Sequence, residues 1–267
     1  MRWLILVLAI LIGPVWCYQF SRPESFQSKT GTLNSRDPLK RLMDHDIQFF
    51  REGLAQEKVN FKEIRSRAVI ISLAAHFSMK GNGSLDLKLA SLRNNAIRLA
   101  ETPRVEEAKQ IVERLLAETK SNPAKVPASL QRYLEDLTDL HNLMKPKSIG
   151  GLGIELEISE MAKGSDEPLT NQMRERVSIQ AYRVAVIAQA TEAWFAKKFP
   201  DKKIAKILGP WAGEMRRAAD QLRMATGSES DLEIRQHAGN LRVTCVTCHR
   251  YFVNGIIPAP PKDKKKS

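Results

Sequence analysis

The chain reads as an all-α protein built from two tandem four-helix-bundle-like modules, the second carrying a cofactor motif on its last helix. Three observations support this. Apolar residues recur in steps of three and four from Pro38 onward; turn residues punctuate them at helix-length intervals; and no stretch alternates with the period of a strand.

In order, residues 1–17 read as an export signal. Arg2 is the only charge before the apolar run Trp3 to Ile12, Gly13-Pro14 breaks that run, and Val15-Trp16-Cys17 offers a cleavage site. The run is short for a membrane span, so a membrane is expected only if this segment stays uncleaved. Bulky Trp16 argues against a lipid-modified Cys17. Residues 18–37 are polar and aperiodic and read as a linker that ends at Asp37-Pro38.

The first module spans 38–123. Leu42, Met43, Ile47, Phe50 and Leu54 mark one helix, and Ile64, Ala68, Ile71, Ala74 and Ala75 a second, which Lys80-Gly81-Asn82-Gly83 ends. Leu85, Leu89, Leu92, Ala96 and Leu99 mark a third, and Ala108, Ile111, Val112 and Leu115 a fourth, closed by Asn122-Pro123. Residues 124–144 form a connecting amphipathic segment through Leu130, Leu134, Leu137 and Leu140.

The second module spans 145–255. Its glycine group, Ile149-Gly150-Gly151-Leu152-Gly153-Ile154, lacks the preceding strand and spacing of a nucleotide loop and reads as a tight turn or a close helix approach. A long helix is expected from about Pro168 to Lys198, then one carrying Ile204, Leu208, Trp211, Met215, Ala218 and Leu222. Gly227 separates it from a last helix with Ile234, Ala238, Leu241, Cys245, Cys248 and Phe252 on one stripe. Ser230 and Glu233 make a capping box at its start, and Gly255 with Pro258 stops it. Residues 256–267 are a Pro/Lys-rich tail.

The two modules look related. Leu92, Arg93, Ala96 and Leu99 match Met215, Arg216, Ala219 and Leu222, and Leu42-Met43 with Ile47 approximates Leu143-Met144 with Ile149. Setting Ala108, Val112 and Leu115 against Ile234, Ala238 and Leu241 puts Thr119, Asn122 and Pro123 where Cys245, Cys248 and His249 stand, so the first module is expected to carry no cofactor.

That last trio is the chemically informative part of the chain. Cys245-Val246-Thr247-Cys248-His249 spells C-x-x-C-H, the spacing of covalent c-type haem attachment. Two thiols three positions apart on a helix project from one face about a turn apart, so each can add to one vinyl group of the porphyrin. His249 is then tethered beside the ring as proximal ligand to the iron. A redox dithiol or half of a zinc site are the other readings. The first normally follows a strand, and the second wants further Cys or His ligands, of which His237 alone is near. Of the three cysteines, Cys17 borders the signal, which leaves a single close pair and no disulfide framework. One haem c per chain is the expectation, in a periplasmic or otherwise exported protein.

Forty-two Lys and Arg against 30 Asp and Glu give a net charge of +12. Such a surface suits acidic redox partner proteins; no nucleic-acid module is recognisable. A homodimer is also considered. No nucleophile and base constellation or paired carboxylate suggests an enzyme.

A helical bundle whose last helix carries C-x-x-C-H near the C-terminus resembles the class II cytochromes c, cytochrome c′ and its low-spin relatives. The resemblance covers about residues 140–254, and Cys245-Val-Thr-Cys248-His249-Arg250-Tyr251-Phe252 adds the aromatic that follows the histidine in such sequences. The run Met144 to Gly153, with Ala181-Tyr182-Arg183, is similar to predicted exported planctomycete cytochromes. The resemblance implies a four-helix fold and a carrier of single electrons, or else a haem protein with an open distal site that binds NO or CO or protects against stress. It further implies a methionine, for which Met144 is the candidate, or an empty position opposite His249. Met161, Met173, Met215 and His141 are lesser candidates. A third reading is an interaction scaffold whose haem is structural. His45 and His76 in the first module read as ordinary helix residues.

Overall fold

The computed structural model describes residues 37–81, 83–116, 121–164, 167–199, 202–228 and 230–253, the last helix turn and a few other stretches (116, 202–209 and 248–253) as backbone only. The expected signal, nearly all of the linker and the C-terminal tail lie outside the described residues. All the regular structure described is helical: α1 (Pro38–Leu54), α2 (Phe61–Ser78), α3 (Gly83–Glu101), α4 (Val105–Leu116), α5 (Ala128–Glu135), α6 (Leu137–Asn142), a 3-10 turn (Lys147–Ile149), α7 (Ile154–Lys163), α8 (Asn171–Lys198), α9 (Lys202–Ala225) and α10 (Asp231–Val253). No helix among the described residues is long and apolar enough to cross a membrane.

The helix starts follow from local chemistry. Asp37 caps α1 through Leu39 N (2.8 Å), with Pro38 at the first position, where its missing N–H costs nothing. Thr170 caps α8 through Met173 N (3.2 Å). Ser230 Oγ accepts from Glu233 N (3.2 Å), the half of the expected capping box that ties the side chain to the backbone.

Packing sorts the helices into two closed rings. In the first, α1 packs on α2 and α4, and α3 packs on the same two. In the second, α8 packs on α7 and α9, and α10 packs on the same two. The rings share one continuous hydrophobic core, because α8 also packs against α1 and α2. Helices α5 and α6 bridge them along the C-terminal half of α8, where Trp194 Nε1 donates to the Glu135 carbonyl (2.8 Å).

Three features differ from the sequence reading. The connecting segment is two helices, because Asp136 leaves the helical conformation and caps α6 through Thr138 N (2.7 Å). The second ring opens with α7, a helix the periodicity reading passed over, whose Ile154, Ile158 and Met161 face the core. The match of Ile47 to Ile149 fails, since Ile47 is 4% exposed on α1 and Ile149 is 60% exposed in the 3-10 turn.

The glycine group is the tight turn and close approach expected of it. Gly150 and Gly153 have φ of 95° and 67°. A Cβ on Gly151 would lie 2.1 Å from the Lys145 carbonyl oxygen. Ser66 on α2 donates to the Gly150 carbonyl (2.5 Å), which fastens this turn to the first ring.

Candidate functional site

Helix α10 runs unbroken through Cys245 to His249, so the two cysteines stand one turn apart on a helix as the motif chemistry needs. Ile234, Ala238 and Leu241 are fully buried, Cys245 is half-buried against the core, and Val246 beside it is 47% exposed. The apolar stripe therefore reaches the motif as the helix emerges from the core. The side chains of Cys248, His249 and Phe252 lie outside the described residues, as do Gly255 and Pro258.

Helix α10 emerges from the core there because its neighbour α7 is short. Arg235 on the second turn of α10 donates to the Glu167 carbonyl (2.9 Å) and lies beside Gly164 at the end of α7. The two helices pack alongside each other, so they run antiparallel. Ten residues of α7 cover about 15 Å, and Cys245 lies ten residues beyond Arg235, also about 15 Å along the axis. Cys245 is thus level with the start of α7, and the helix carrying Cys248 and His249 continues past it.

Helix α9 does continue alongside. Equal steps away from the turn between α9 and α10 set Trp211 and Ala212 level with Cys245. Both belong to a second apolar cluster, separate from the main core, in which Trp194, Phe195, Phe199 and Ala212 are buried and Trp211 and Leu137 pack against them. Trp194 stacks edge-on to Phe195 and Phe199 at 5.4 and 5.8 Å between ring centroids. The motif end of the second ring therefore has an aromatic wall, which the sequence analysis did not single out; the signal was Trp194, Phe195 and Phe199 closing one helix with Trp211 in the next.

The methionines fall at different levels. Met161 and Met173 line a cavity with Glu157, Gln180 and Arg235, at the end of α10 away from the motif. Met144 is buried in the turn after α6; its neighbour Leu143 accepts from Leu152 N (2.9 Å), and the Leu152 carbonyl accepts from Gln180 (3.5 Å). Met144 is thus tied to the start of α7, the end at which Cys245 stands. Met215, buried on α9, is level with Leu241, one turn from Cys245.

The histidines give no metal cluster among the described residues. His45 Nδ1 lies 2.9 Å from Asp46 Oδ1. His76 is largely buried beside Phe77, and burial, reinforced by the Arg93 cation, pushes its pKa down. His141 supplies its carbonyl to Met144 N (3.0 Å).

The position of the motif's counterpart in the first ring is instructive. Helix α4 ends at Leu116, and the chain that follows is held by Arg93, a fully buried arginine of α3. Its guanidinium donates to the carbonyls of Pro123 (3.1 Å) and Lys125 (2.5 Å). Asn122 and Pro123 are thus part of a turn clamped by its backbone; Thr119 lies outside the described residues.

Comparison with protein-family models, curated proteins and solved structures gave no match.

Proposed function

We propose that the chain is an exported c-type cytochrome that carries single electrons on one covalently attached haem. The observation that carries this reading is that Cys245-x-x-Cys248-His249 lies on a continuous helix where that helix emerges from the core beside an aromatic wall. Cys245 fits the group, being a half-buried thiol on the face that adjoins apolar packing. Cys245 and Cys248 would hold the macrocycle and His249 the iron, and the bound haem would supply the one-electron couple. The chain's own contribution is a low-dielectric surround from Trp211, Ala212 and the Trp194 cluster, which excludes water and tunes the potential. The two rings are, in this reading, diverged copies of one module, with haem on the second alone. The net charge of +12 suits docking to acidic redox partners.

The second axial position separates this reading from its alternative. Met144 is the candidate carried from the sequence, and helix register makes Met215 its rival. The apolar wall itself favours the alternative, an open distal site that binds NO or CO, because such a surface offers no ligand to the iron. Absorption spectra of the purified holoprotein, with and without carbon monoxide, decide between them. Sharp reduced bands indifferent to carbon monoxide are expected for the electron carrier, with Met144→Ala or Met215→Ala converting the spectrum to a high-spin form. Broad bands that shift with carbon monoxide in the unaltered protein would make the gas-binding reading the correct one.

A further inference from the structure

The junction between the rings holds a buried ionic hub. Asp46 on α1 is fully buried, and its Oδ1 accepts from three side chains: Arg67 Nη1 on α2 (2.6 Å), Arg183 Nη2 on α8, and His45 Nδ1 (2.9 Å). Burial pushes the Asp46 carboxyl up, but Arg183, the His45 hydrogen bond and Arg67 outweigh it and hold it well below the usual carboxylate range.

The two arginines are not equally provided for. Arg67 also pairs with Glu63 (2.7 Å) one turn back and lies 3.7 Å over the Phe49 ring. Arg183, just as buried, has among the described residues only the neutral amide oxygen of Gln180 (3.2 Å) as a hydrogen-bond partner besides Asp46. Glu157 of its own ring supports it only weakly, being taken up by Lys147 (2.8 Å), Gln180 (2.6 Å) and Arg176 (3.4 Å). The second ring therefore buries a guanidinium whose countercharge comes from the first ring.

We propose that Asp46 is an electrostatic latch between the rings, and that the first ring is kept as the structural half that neutralises Arg183 rather than as an independent domain. A buried cation stripped of its countercharge is strongly destabilising, so the second ring cannot hold its packing without Asp46. The inference needs no cofactor and stands apart from the proposed electron transfer.

The test is hydrogen exchange on the full chain, comparing the slowest amides of α2 and α3 with those of α8 and α9. In the unaltered protein the latch makes both sets open together, at one rate. Asp46→Asn keeps an oxygen where Oδ1 stands and removes only the charge. It is expected to separate the sets by on the order of 100-fold, with α8 and α9 exchanging faster, since Arg67 retains Glu63. Should this variant not accumulate, Arg183→Met removes the cation and leaves the Asp46, Arg67 and Glu63 cluster whole; a separation of about tenfold or more is then expected. Both sets moving by the same factor, or neither moving, would overturn the latch in either variant.

Discussion

The two rings pack by one plan and end differently. In the first, α4 stops at Leu116 and Arg93 on the preceding helix grips the carbonyls of the departing chain. In the second, the matching Arg216 is 41% exposed at its side chain and only loosely paired to Glu192 (3.6 Å), while α10 runs on to Val253. The same helical ring thus either folds its exit chain back under an arginine clamp or extends a last helix beyond its neighbour α7. Only the extended helix can present two thiols and a histidine to a cofactor. The difference between the two rings comes down to the length of the fourth helix and what meets its end.

The sharpest break in this comparison is at the motif. Cys248→Ala removes one of the two thioether positions, and near-complete loss of doubly attached haem is expected, read as a single-linked or haem-free species in the intact mass. Helix content should stay close to that of the unaltered protein, because the packing of α10 rests on Ile234, Ala238 and Leu241.

The junction gives the next effect. The folded-state pKa of Asp46 is depressed, so its contribution is fully present above the unfolded value near 3.8 and is lost as pH falls toward the folded one. The stability gap between the unaltered protein and Asp46→Asn should be flat above about pH 5 and shrink below about pH 4. Denaturant titrations across that range check it; a gap that widens on acidification would contradict the assignment.

A smaller effect separates the two matched arginines. Arg93→Ala strips the clamped turn of its charged donors and should cost about 2 kcal/mol in thermal unfolding. Arg216→Ala removes an exposed, loosely paired charge and should cost less than about 0.5 kcal/mol. Equal losses would mean that the clamp is not what distinguishes the rings.

Much of this was legible in the sequence. Long apolar stripes placed α1 to α4 and α8 to α10, because burial on one helical face demands that spacing. Helix α7 was hidden by its setting, a single short stripe of Ile154, Ile158 and Met161 among acidic residues and directly after a glycine turn. The break at Asp136 was hidden because Leu134, Leu137 and Leu140 keep helical spacing across it. The C-x-x-C-H spacing stood in the sequence, whereas the aromatic wall beside it joins residues from three helices that only tertiary packing brings together. The hub was unreadable in its pairing, since Asp46 and Arg183 lie far apart in the chain. Its signal was nonetheless present: Arg67 and Arg183 interrupt otherwise apolar helix faces, and a charge so placed needs a partner.

The smallest predicted effect concerns the motif helix itself. Gly239 sits inside α10 with nothing within 4 Å of where a Cβ would be. Gly239→Ala should raise stability by about 0.5–1 kcal/mol through helix propensity alone. A loss instead would show that this face of α10 is closely approached by another surface.

The most direct test of the central claim is a pyridine haemochrome assay, calibrated to protein concentration, on the full chain purified from its native source. One haem per chain is the result the account predicts, held on α10 and absent from the first ring. A value of two would contradict the distinction drawn between the rings, and a value of zero would remove the cytochrome reading altogether.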